Sequence, residues 1–105
     1  MHRAIAEKQS DIAAICRRHG VRRLDVFGSG AREDEFDAAR SDADFLVDFG
    51  ADTRPGLVAW FALHDDLRRV LGRDVDLLER QMIEASRNYI RRRHILNHLE
   101  PVYVA

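Results

Sequence analysis

The chain has 105 residues, 46% of them hydrophobic and 33% charged, which predicts one domain over residues 1–105 and excludes a disordered tail. Its 17 basic and 18 acidic residues leave a formal net charge of -1, which argues against wrapping duplex nucleic acid by bulk electrostatics. No apolar run is long enough to cross a membrane, residues Met1 to Lys8 lack the apolar stretch of a signal peptide, and the lone Cys16 has no internal partner for a disulfide. A reduced, cytoplasmic setting is the expectation.

In chain order, the segment up to His19 reads as a helix with Ile5, Ile12, Ile15 and Cys16 on one face. Gly20 closes it, and Arg17, Arg18 and His19 occupy the last turn, where the helix dipole favours cations. Val21 to Phe27 reads as a strand that stops at Gly28-Ser29-Gly30. Residues Ala31 to Ser41 are polar and read as a short helical turn plus a loop, and Ala43 to Phe49 as a second strand. The composition of Gly50 to Gly56 marks a loop. Leu57 to Leu71 is the clearest helix, with Leu57, Trp60, Phe61, His64, Leu67 and Leu71 recurring at three- and four-residue intervals before Gly72. Trp60 and Phe61 are expected in the core, with His64 at its edge. Asp74 to Glu79 reads as a third strand, and Asn88 to Leu99 as a last helix with Tyr89, Ile90, Ile95 and Leu99 on its apolar side, ended by Pro101. Strands alternating with helices predict an α/β (α+β) architecture, a small mixed sheet with helices packed on it.

Chemistry concentrates in two stretches, Val26 to Arg32 and Ser41 to Val47. Asp42 and Asp44, two apart on a strand, point to the same side with α-carbons roughly 6–7 Å apart. Such carboxylates converge on one hard cation or bracket two about 4 Å apart, the arrangement that two-metal phosphoryl chemistry requires. Asp48 shares their face but lies roughly 13 Å beyond Asp44 along an extended strand, too far to join. Phe45 and Val47 on the opposite face are expected to bury and hold the register. A third carboxylate is best supplied by Asp76, with Asp74 as runner-up. Gly28 lets backbone come close to a ligand, and the Ser29 hydroxyl with the following N–H groups makes an anion-binding nest. His94 and His98, four apart, read as solvated helix residues rather than zinc ligands, and Arg91 to Arg93 as a solvated or partner-facing surface.

The phrase Phe27-Gly28-Ser29, an arginine-bearing segment, then Ser41-Asp42-Ala43-Asp44-Phe45-Leu46-Val47 resembles the nucleotidyltransferase superfamily typified by DNA polymerase beta. The likeness is nearest its minimal nucleotidyltransferases, which pair with HEPN-domain partners as toxin–antitoxin modules. It runs from about Ile5 to Tyr103 and includes the phrase Leu71 to Leu77. The resemblance implies that Gly28, Ser29 and Arg32 bind the nucleotide. It also implies that Asp42, Asp44 and Asp76 serve as catalytic residues holding magnesium, with two ions expected and ATP as donor. The implied acceptor is a tyrosine of a HEPN toxin, which makes this chain an antitoxin. The rival reading is an antitoxin that neutralises its partner by contact alone, and a third is a small-molecule nucleotidyltransferase. Two features depart from the pattern: twelve residues separate Ser29 from Asp42, a longer loop than usual, and Gly30 replaces the arginine that commonly follows the serine. Ser29→Ala is expected to weaken ATP binding by about 1.5–3 kcal/mol, the worth of one hydrogen bond to a charged phosphate, as read by titration calorimetry.

Overall fold

A computed structural model describes residues 1–28, 42–50 and 55–105, and over that range carries four strands among five helices. The expected leading helix is two. A short α1 (Arg3–Ala6) has the Ala4 N–H donating to His2 Nδ1 at 3.0 Å, and α2 (Gln9–Arg18) follows. Between them the Lys8 N–H donates to the Ile5 carbonyl, an i to i+3 bond that tightens the chain out of the α-helix. The expected face survives the break, since Ile5, Ile12, Ile15 and Cys16 are all buried. Burial also pushes the Cys16 thiol up to about 12, as an inert core cysteine requires.

Strands β1 (Arg23–Phe27), β2 (Ala43–Asp48), β3 (Val75–Glu79) and β4 (Glu100–Val104) form one mixed sheet in the order β3-β2-β1-β4. β1 runs antiparallel to β2 and β4, whereas β2 and β3 are parallel. Parallel neighbours need a crossover, and α3 (Leu57–Leu71) supplies it over the predicted range. Gly72 ends α3 at φ 65°, its N–H donating to the Arg68 carbonyl, a left-handed cap that suits a residue without Cβ. The expected segment Ala31–Ser41 and part of the Gly50–Gly56 loop lie outside the described residues.

Both faces of the sheet are covered. Leu24 and Val26 of β1, Phe45 and Val47 of β2, and Val75 and Leu77 of β3 pack with α1, α2 and α3. On the other face Leu46 packs with Ile83 of α4 (Arg80–Glu84) and Ile95 of α5 (Tyr89–Leu96), joined by Phe27 and Leu78. β2 is thus buried on both sides, not only at Phe45 and Val47.

Three expectations about faces and ends need correction. α3 buries Leu63 and Leu67, with Trp60, Val70 and Leu71 packed at the margin, while Phe61 is 54% exposed and Leu57 lies in solvent. Two neighbouring apolar stripes run along this helix, and only the one that meets α2 and β3 is covered. Likewise α5 ends at Leu96 and buries only Ile95, leaving Tyr89 and Ile90 exposed. Pro101 does not follow a helix ending at Leu99; it lies in β4, an edge strand, where its missing N–H costs no ladder bond on the solvent side. α4 and β4 were not expected, being five residues each and stabilised by partners distant in sequence.

Asp25 of β1 is fully buried, and Arg23 and Arg80 hold it. Arg23 Nε donates at 3.0 and 3.1 Å to its two oxygens, and Arg80 Nη1 donates from α4 at 3.1 Å. Arg80 Nε also donates to Glu84 at 3.0 Å, so this network ties α4 to the sheet. Asp25→Ala should lower unfolding free energy by about 2–4 kcal/mol, since it removes several charge-assisted bonds from a dry site, as read from the shift of the urea midpoint.

Candidate active site

β1 leaves the sheet where β2 and β3 enter it, so three strand ends meet at one margin. The register sets Phe27 opposite Asp44, and Asp44 opposite Asp76. Adjacent strands lie about 4.8 Å apart, so two carboxylates start from neighbouring backbone positions on the same face. Alternation turns both away from the Phe45 and Val47 core. Asp44 is half-buried, and Asp42, just before β2, and Asp76 are exposed. Burial and then the charges of Asp76 and Asp42 push the Asp44 carboxyl up to about 6. None of the three forms an ion pair among the described residues.

Gly28 follows β1 at φ 66°, and a Cβ there would stand 2.8 Å from Asp44 Oδ2. Glycine is therefore needed twice over, for the left-handed backbone and for the space its hydrogen leaves beside the carboxylate. Asp74 turns elsewhere: it pairs with Arg68 of α3 at 3.4 Å, which leaves Asp76 as the carboxylate facing Asp44. Asp48 accepts the Gly50 N–H at 2.8 Å and caps the turn after β2, away from the site as expected. Ser29 and Arg32 lie outside the described residues.

A cleft of about 310 Å³ opens between this sheet margin and α5, walled by Phe27, Gly28, Asp44 and Asp76 on one side and Arg91, His94 and His98 on the other. Residues 10–98 match the family described as nucleotidyltransferase domain. The chain belongs to the nucleotidyltransferase family. The nucleotidyltransferase is 39% identical over 74 residues, 70% of this chain and 75% of the relative, to a Methanocaldococcus jannaschii protein named as a protein adenylyltransferase. It matches a solved structure described as a minimal nucleotidyltransferase at 27% identity and a TM-score of 0.72, over 96% of each chain. It also shares its fold with a chain of the complex between tri-AMPylated Shewanella oneidensis HEPN toxin and MNT antitoxin. That match has a TM-score of 0.64 and 16% identity, over 96% of this chain and 73% of that one.

In this nucleotidyltransferase the far wall of the cleft was the part that sequence reasoning missed. Ile95 docks α5 on Leu46, and Arg91, His94 and His98, spaced three and four residues apart on a neighbouring face, are thereby turned toward Asp44 and Asp76. The available signal was the spacing of those three residues around one apolar anchor. Arg92 instead donates to the Ser86 carbonyl at 3.1 Å and braces the helix start. The His98 Nδ1–H donates to the His94 carbonyl at 2.7 Å, capping a helix-end acceptor.

Asp44 gives a pH signature to the nucleotidyltransferase without bound cation. Its folded pKa of about 6 lies above the ordinary 3.8, so its favourable contribution to stability is complete below about pH 4 and is lost as pH rises through 6. Asp44→Asn, which does not ionise, should match the parent near pH 4. By pH 8 it should exceed the parent by about 1–2 kcal/mol, after allowing for solvent screening at a half-exposed position. Denaturant melts at the two pH values check it.

Proposed function

We propose that this chain transfers AMP from ATP to the hydroxyl of a tyrosine on a HEPN toxin and so acts as an antitoxin. The observation that carries the reading is Asp44 and Asp76 side by side in register, with Gly28 against Asp44 and Asp42 adding charge, at the mouth of one cleft. Support comes from the relative named as a protein adenylyltransferase, and from the shared fold with an MNT antitoxin complex whose toxin is tri-AMPylated. Residues 1–105 serve as one catalytic domain, working in the cytoplasm where ATP is at hand.

Asp42, Asp44 and Asp76 offer only hard oxygen donors, and burial of Asp44 together with the charges of Asp76 and Asp42 makes its ionised form costly unless a cation joins them. That chemistry fits magnesium. Two ions held by these carboxylates would offset the triphosphate charge and acidify the acceptor hydroxyl. Gly28 leaves room for phosphate to approach the backbone beside Asp44, and Ser29 and Arg32 bind the phosphates. Arg91 adds a cation from the opposite wall. In the transfer step the acceptor oxygen bonds the α-phosphorus and the α-phosphorus–bridging oxygen bond breaks. Pyrophosphate leaves, and the hydroxyl proton passes to Asp76.

Co-expression with a HEPN-type partner should add adenylate mass to that partner on a tyrosine. Asp42→Asn or Asp44→Asn should lower transfer a hundredfold or more, roughly the several kcal/mol that metal-assisted charge stabilisation supplies, while both variants still fold. Intact mass spectrometry reads the first result and a timed transfer assay the second. If the Asp42→Asn/Asp44→Asn double variant protects cells as well as the parent and neither adds mass, inhibition is by contact and the enzymatic reading fails.

A further inference from the structure

The outer face of α5 is the feature that the catalytic cleft does not use. Tyr89 and Ile90 are 63% and 70% exposed, although both are large and apolar. With Arg93 and Asn97 they line a second groove of about 290 Å³, and its remaining walls are His94 and His98, the same two side chains that wall the cleft. The two imidazoles, with ring centres 4.8 Å apart, therefore form a ridge with Asp44 and Asp76 on one side and an apolar, basic groove on the other. No ion pair among the described residues involves Arg91 or Arg93, so Arg93 in the groove and Arg91 in the cleft carry positive charge without a counterion there.

We propose that this groove is the docking site for the acceptor polypeptide: an extended segment bearing the modified hydroxyl, with an apolar side chain on Tyr89 and Ile90 and an acidic residue at Arg93. The inference rests on the transfer reading above and specifies how its protein substrate is held. Three features select that occupant. The groove shares its His94 and His98 wall with the cleft, so a segment lying in it can carry a side-chain hydroxyl over that ridge to the reacting phosphate. Its charge is positive, complementary to an acidic stretch of partner rather than to a nucleotide base. Its apolar floor lies on a helix, a rigid support for a few anchoring contacts.

The test uses the full chain, its HEPN-type partner and ATP, with Ile90→Asp and Arg93→Glu. Both positions are exposed, outside the cleft and without partners in the core, and circular dichroism and melting should match the parent. Each variant should raise KM for the partner at least tenfold, leave kcat at saturating partner within about threefold, and leave the Kd for ATP within twofold. Arg93→Lys should restore most of the lost affinity. A KM unchanged in both substitutions overturns the proposal. Conversion of a parent dimer to monomers by Ile90→Asp also overturns it, since the groove then seats a second copy of the chain. Failure of the underlying reading looks different: the parent itself then transfers no adenylate to the partner, whatever the state of the groove.

Discussion

Two like charges held side by side at the start of adjacent parallel strands set the terms for the rest of this molecule. Asp44 and Asp76 are register partners, and burial and mutual repulsion both favour the protonated form of Asp44. The fold tolerates this because the strands that carry them have little freedom. β2 is buried on both faces, by Phe45 and Val47 toward α2 and α3 and by Leu46 toward α4 and α5. A slip of one residue would exchange the two faces and bury the aspartates, at a cost far above that of the repulsion.

Parallel pairing in turn dictates the crossover, and the crossover is pinned on both sides. The His64 Nε2–H of α3 donates to the Val75 carbonyl at 2.8 Å, just before Asp76. Asp66 of the same helix accepts from His19 at 2.7 Å and from Arg18 at 3.1 Å, which joins α3 to the end of α2. These bonds fix where β3 begins, and so where its carboxylate falls. Asp25 does the corresponding work on the opposite face, because its two arginine partners hold α4 against β1 and close the layer beneath the site.

The cleft places opposite charge in separate elements. Acids project from strands, whose spacing is set by the hydrogen-bond ladder, whereas the basic wall projects from α5, which the Ile95 contact anchors. The cleft presents carboxylates on one side and guanidinium and imidazole on the other. Charge of both signs facing one gap of about 310 Å³ suits a cation–polyphosphate pair better than either ion alone.

Much of this was legible in the sequence. The range of α3, the strands around Val26, Phe45 and Leu77, the glycine at the end of β1, and the placing of Asp76 on the face opposite Val75 and Leu77 all follow from local patterns: period-two alternation, a cap glycine, an i to i+2 spacing. Local rules suffice there because strand geometry fixes side-chain direction residue by residue. They fail where two faces of one helix are equally apolar, as in α3 and α5, since periodicity reveals a stripe but not which neighbour covers it. They also fail for α4 and β4, five residues each, which exist because Ile83 meets Leu46 and because β1 offers an open edge. The sequence by itself therefore determined the acidic half of the site and the mixed sheet that presents it. The basic half, Arg91, His94 and His98, was decided only by tertiary packing, because the direction in which α5 faces depends on one buried contact between residues 49 positions apart in the chain, Leu46 and Ile95.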